Sequence, residues 1–213
     1  MNKFGYVLGT LVTLSSFTAL AAPTVWDIDS AHSSAGFSVR HMMVSTVRGE
    51  FGKLTGTMTI EGTDWKTAVV DASADVNTIN TREAKRDAHL KSPEFFDAAK
   101  YPTVSFKSTK VDVGAGGAVK LNGNLTMHGV TKPVTFDVSP VSKEMKNPYG
   151  QTVIGTSATA KINRKDFGLT WNKPLEQVGG VMVGDEISVV LDLELDKKMA
   201  AGGKVVPPPP AKK

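Results

Sequence analysis

The stretch His32–Gly52, HSSAGFSVRHMMVSTVRGEFG, carries the reading of the fold. Ala35, Phe37 and Val39 share one face, and Ser34, Ser38 and Arg40 share the other. A period of two marks a half-buried antiparallel strand, and the segment holds two such strands side by side. The pattern continues outward. Val47, Gly49 and Phe51 stand at odd positions, and Leu54, Gly56, Met58 and Ile60 at even ones. The change of parity predicts a β-bulge in one long, bent strand.

Most of the chain repeats this alternation. Val70, Ala72, Ala74 and Val76 form one face, and Val104 and Phe106 give way to Val111 and Val113 with another parity switch. Gly114–Gly117 reads as a hairpin turn and lacks the spacing of a dinucleotide loop. Strands follow around Val119–Met127 and Val134–Val138, with His128-Gly129 as the turn between them. Two more follow, at Ile154–Ile162 and Ile187–Leu195, the last with Asp192, Glu194 and Asp196 facing water. Roughly eight strands in hairpin-like succession are the number that closes a small up-and-down barrel. The fold class is therefore all-β, although a sandwich would give the same alternation.

One interruption, about residues 81–100, reads as helical. Asn80 is the expected N-cap with Glu83 as its capping-box partner, and the helix runs to about Lys91. Ser92 and Pro93 then start a second short helix carrying Phe95 and Phe96.

The ends bound the compartment. Residues 1–21 read as a secretory signal peptide, with Lys3 ahead of an apolar run and Ala19-Leu20-Ala21 as a cleavage site. The chain has no cysteine, hence no disulfide and no lipid-modified N-terminal Cys. A soluble protein of the bacterial periplasm, or a secreted one, is expected. Residues 200–213, a Gly/Pro/Lys run with Pro207–Pro210 as polyproline II, read as a disordered tail. The alternative for that tail is a weak basic tether to the cell envelope. Residues 22–199 form the domain. Of 25 Lys and Arg, Lys3, Lys204, Lys212 and Lys213 lie in the leader and tail, leaving as many basic as acidic residues between. A neutral body carries no electrostatic footprint for nucleic acid.

Candidate chemistry is sparse. Arg82, Arg86 and His89 share one helix face, beside Lys85. They read as a solvated cap or as a cationic rim that orients a polar head group, since a guanidinium fork pairs with phosphate or carbonyl oxygens. His32, His41, His89 and His128 are scattered without metal-ligand spacing, so no metal site is expected. No nucleophile elbow and no buried carboxylate pair is indicated, so no catalytic residue is assigned. The apolar faces mix bulky residues with Ala35, Gly49, Gly56, Ala72, Ala74 and Ala158. They read as a packed core or as a barrel whose small residues leave a tunnel.

His32–Gly52 resembles the opening of the YceI-like family, the polyisoprenoid-binding proteins of bacteria. Three further blocks fit in order: Asn80–Ser108, Gly123–Val134 (GNLTMHGVTKPV) and Ile162–Asn172 (INRKDFGLTWN). The resemblance spans about Val25–Leu195, and the tail lies outside it. It implies an extended lipocalin-like barrel of eight antiparallel strands with the helical segment beside it. It implies a tunnel for a linear amphiphile, usually an isoprenoid of the polyprenyl or quinone type, as bound ligand rather than cofactor. Periplasmic residence and, often, a homodimer are implied too. On this reading Phe37, Val39, Val47 and Phe51 line the tunnel with Phe106, Met127, Phe136 and Leu191. Phe95, Phe96 and Trp171 mark its mouth or end. A rival reading is an enzyme acting on the bound lipid or quinone, which needs a polar cluster inside, such as His41 beside Arg40 or Arg48. A third is a solid barrel acting through partners.

Overall fold

A computed structural model describes residues 22–175 and 180–198 of the chain. The expected leader and the Gly/Pro/Lys tail lie outside those residues.

Strand pairing closes a barrel. β1 (Thr24–Ile28) and β2 (Ser34–His41) lie end to end along one edge of the last strand, β12 (Val183–Lys197). β3 (Ser45–Phe51) pairs with β2, and β4 (Leu54–Ile60) pairs with β1. β5 (Val69–Asp75) pairs with β4, and the two-residue β6 (Ile79–Asn80) pairs with β3. Three staves are thus broken strands, each in two pieces. β7 (Thr103–Val113), β8 (Val119–Met127), β9 (Val130–Val138) and β11 (Thr152–Asn163) follow as neighbours, with the short β10 (Met145–Lys146) on an edge of β11. β11 closes the ring on β12 over a long register, Val153↔Asp196 to Asn163↔Glu186. The result is the expected eight-stave antiparallel barrel, and closure by a β11–β12 ladder rules out the open sandwich.

The parity switches have distinct causes. Between Phe106 and Val111 the register of β7 on β8 shifts at Ser108–Lys110, as a bulge requires. Between Phe51 and Leu54 there is no bulge within one strand. Gly52 and Lys53 break the stave into β3 and β4, and both Phe51 and Leu54 still face inward.

Connections alternate between two ends. The chain enters and leaves at one, together with the β4–β5 loop and the β7–β8 hairpin. The other, the helical end, carries the β2–β3 and β8–β9 turns, the β11–β12 connection and helix α1 (Ala84–Lys91). Trp26, Met58, Ile60, Ile154 and Leu195 pack into a buried cluster towards the terminal end. Each such side chain is worth roughly 1.5–3 kcal/mol on burial.

The helical segment departs from expectation in two respects. α1 is N-capped by Glu83, whose carboxylate accepts from the Lys85 and Arg86 amides, while Asn80 sits in β6 and accepts from the Arg82 amide. Glu83 is an acid at the positive end of the helix and outcompetes the more distant Asn80. Second, Ser92–Tyr101 is a series of turns and not a helix, because Asp97 turns left-handed at φ 46° and its amide folds back onto the Ser92 carbonyl. As its scant apolar surface predicts, α1 docks through polar contacts, described below, although the partner of Arg86 is Thr81 and not an acid.

Candidate functional site

The inward residues of the staves do not meet at the centre. They enclose a cavity of about 530 Å³ running the length of the barrel. At the terminal end it is bounded by Val113, Gly117 and Val119 with Trp65, Pro140 and Val141. At the helical end it reaches Leu90, Phe95, Phe96 and Leu169. Alanines 35, 72, 74 and 158 supply narrow wall where two bulky side chains would otherwise meet. The polar side chains in the wall are the hydroxyls of Thr57, Ser73, Ser105 and Thr156, the indole of Trp65 and the guanidinium of Arg164. The tunnel reading of the apolar faces therefore holds, and the solid-core reading fails.

Phe37, Val39 and Phe51 lie in this wall, as do Phe95, Phe96, Phe106, Met127, Phe136 and Leu191. Phe37, Phe51 and Phe96 form a run of rings, with centroids 5.7 Å and then 5.9 Å apart. Phe106 meets Phe136 edge-on at 5.2 Å. Val47 is not in the wall. It is paired with Val39, which does line the cavity, near the tip of the β2–β3 hairpin.

Trp171 is not in the wall either. It packs at 5.1 Å against Phe95, and the ring of His89 stands edge-on to both at 4.9–5.0 Å. His89 also meets the Glu94 carboxylate. His89 and Trp171 thus form an aromatic cap outside Phe95, one layer removed from the tunnel. Arg82 is exposed, in a left-handed turn at φ 64°.

Arg86 faces inward to a different purpose. Its Nε donates to the Thr81 hydroxyl and its Nη2 to the Thr81 carbonyl, at 2.7 Å each. Thr81 is buried, and its amide donates to Asp87. This Thr81–Arg86–Asp87 knot holds α1 on the barrel, which explains how a helix with so little apolar surface docks. The cationic rim is therefore not assembled: Arg86 is consumed in docking, His89 is stacked, and Arg82 stands apart.

Sequence reasoning missed Arg164, the one charged group in the wall among the described residues. Arg164 is 2% exposed. Its Nε donates to the Gly184 carbonyl, its Nη1 to those of Leu169 and Trp171, and its Nη2 to Val183 and the Asp185 carboxylate. All the donors of the fork are committed to the protein. Burial pulls its pKa down, and Asp185 opposes that. Arg164 ties the β11–β12 connection shut beneath the tunnel. Its signal lay in Asn163–Gly168, where Asn163 caps a short 3-10 turn and Gly168 ends it at φ 78°.

Residues 26–195 match the YceI-like domain. The chain belongs to the YceI-like family. A UPF0312 protein of Vibrio cholerae is 33% identical over 170 residues, covering 79% of this chain and 89% of that one. The Campylobacter jejuni YCEI crystal structure superposes with a TM-score of 0.63 at 27% identity, over 75% of this chain and 90% of its own. A polyisoprenoid-binding domain of Saccharophagus degradans, implicated in plant cell wall breakdown, has the same fold at TM-score 0.57 and 15% identity, over 81% of this chain and 98% of that one. The YceI-like barrel of this chain encloses a continuous, mostly apolar lumen.

Proposed function

We propose that this chain holds a long isoprenoid-type amphiphile, polyprenyl or quinone-like, in the barrel tunnel and carries or stores it in the periplasm. The observation that carries the reading is a lumen whose only charged lining group among the described residues, Arg164, has every donor occupied. Such a lumen offers a ligand apolar contact and little else. Val104 and Val113 both line it, nine residues apart on β7. That is about 30 Å along a strand, or ~23 Å along the axis at the usual barrel tilt. An isoprene unit adds four chain bonds, about 5 Å when extended at the backbone's ~1.2 Å per bond. The lumen then suits a tail of about four or five units. Burial is worth roughly 0.8 kcal/mol per CH₂, so each unit supplies at most about 3–4 kcal/mol. A few units reach micromolar affinity after association costs.

The enzyme reading lacks its required cluster. Arg40 and Arg48 are exposed on the outer face, and His41 is absent from the wall. The likeness to a polyisoprenoid-binding domain also favours a binding role. The test is mass spectrometry of gently purified protein, with organic extraction in parallel. A prenyl-chain lipid is expected at near-stoichiometric amount, and Ala158→Phe should cut its retention at least five-fold while the barrel still folds. Lipid-free protein from a prenyl-lipid-rich host would overturn the reading.

A further inference from the structure

The β2–β3 hairpin ends in Met42-Met43-Val44, exposed to 40%, 55% and 78%. The turn closes through a Val44 amide to His41 carbonyl bond at 3.1 Å, and both methionines are left-handed, at φ 49° and 59°. This is the geometry of a type I′ turn, for which Asn-Gly is the favoured pair. Two large apolar side chains therefore occupy positions where local physics prefers small or polar ones, and they point into solvent. The Met42 amide is tied to the Met182 carbonyl at 2.8 Å, which sets Val181, itself 36% exposed, beside the tip. Just behind, Arg40 spends its guanidinium on neutral partners, the Thr46 hydroxyl and the Met43 carbonyl, so its charge is not cancelled. Arg48, also exposed, stands on the same outer face of the ribbon.

We propose that the Met42–Val44 tip, with Val181 beside it, is a membrane-docking element that seats the helical end of the barrel on an anionic lipid bilayer. Three features favour a bilayer over a protein. The patch is a convex tip of four side chains, far smaller than the roughly 800 Å² per partner of a stable protein interface. An apolar tip backed by arginines matches a surface of acyl chains under anionic headgroups. Methionine is unbranched and adaptable, suited to a fluid acyl boundary. The tunnel wall runs to the foot of this hairpin, since Val39 and Val183 line the cavity and Val183 pairs with His41. Docking there brings the lumen to the membrane. The proposal does not depend on which ligand the lumen holds.

The test is flotation of soluble protein, recovered from expressing cells, with vesicles of phosphatidylethanolamine and phosphatidylglycerol at 3:1. Vesicles of phosphatidylcholine serve as the uncharged control. Wild type should float with the anionic vesicles and at least five-fold less with the control. M42N/M43G installs the turn's favoured pair, so it should keep or raise the melting temperature while losing flotation at least five-fold. R40Q/R48Q should lower binding to the anionic vesicles and flatten its salt dependence. Equal flotation of wild type and M42N/M43G overturns the proposal, as does no flotation of wild type. Self-association without lipid that M42N/M43G abolishes would assign the tip to a second copy and overturn it too.

Discussion

Gly49 and Gly123 show what a small residue does in this barrel. Gly49 stands at a position where smallness reads as room for a ligand, and Gly123 stands on an inward face of β8. A Cβ on Gly49 would lie 2.5 Å from Cζ of Phe37 and 2.7 Å from Cγ2 of Thr81. A Cβ on Gly123 would collide with the ring of Phe106. These glycines seat aromatic rings of the wall, and the alanines are what leave the lumen open. Gly49→Ala should therefore push Phe37 from its place and cost about 1–3 kcal/mol, as overpacking does. Chemical denaturation checks this, and an unchanged midpoint would mean that the ring swings aside freely. No sequence period separates a glycine that makes space from one whose space a neighbour fills.

At the scale of elements, arginines tie down both α1 and the β11–β12 connection. Neither Arg86 nor Thr81 lines the lumen, so loss of their pairing should loosen α1 without dismantling the staves. Arg86→Ala is expected to cost about 1.5–3 kcal/mol, the usual worth of hydrogen bonds to a charged group. Amide exchange across residues 81–91 should quicken while that of β11 and β12 stays slow. Uniform loss of protection would show that the helix is part of the cooperative unit. The strands themselves were readable from alternation, because a stave with one wet face must alternate. The helix limits and caps were less so. Asn80 and Glu83 are both good caps, and only β6 pairing with β3 removes Asn80 from the competition.

At the scale of the whole molecule, the cluster where β1 meets the end of β12 couples the barrel to pH. Asp196 does not simply face water: its Oδ1 is sealed from solvent and has no hydrogen-bond partner among the described residues. Burial, then Asp29 and Glu194, push its carboxyl up, with Asp27 adding and His32 opposing. A carboxyl raised on folding stabilises fully below its unfolded pKa, and that contribution is lost as pH rises through the folded value. At neutral pH Asp196 is therefore a liability. Asp196→Asn should raise the melting temperature at pH 7, with the gain shrinking as pH falls towards 4. An equal gain at both values would place the effect in packing instead of charge. Nearby, His32 bonds Asp29 at 2.7 Å. That bond, then the charges of Asp29 and Glu194, raise the His32 pKa. Its contribution is full below the ordinary value of 6.5 and lost as pH climbs through the raised one. Both groups thus make the barrel less stable on the alkaline side.

The sequence by itself determined the count of about eight staves, the inward face of most strands and the phenylalanines of the wall, but not strand β1 or Trp65. Those follow from a period of two and from the need of long strands to bury one face and close their edges. The four ordered motifs also placed the chain in its family. Only the tertiary structure decided that the inner faces surround a lumen, because packing depends on which side chains meet across the barrel. Only it decided the fate of the arginines. Arg86 and Arg164 reach partners distant from the surfaces that their sequence neighbours suggest, and a guanidinium's role is set by the carbonyls and carboxylates that the fold brings to it.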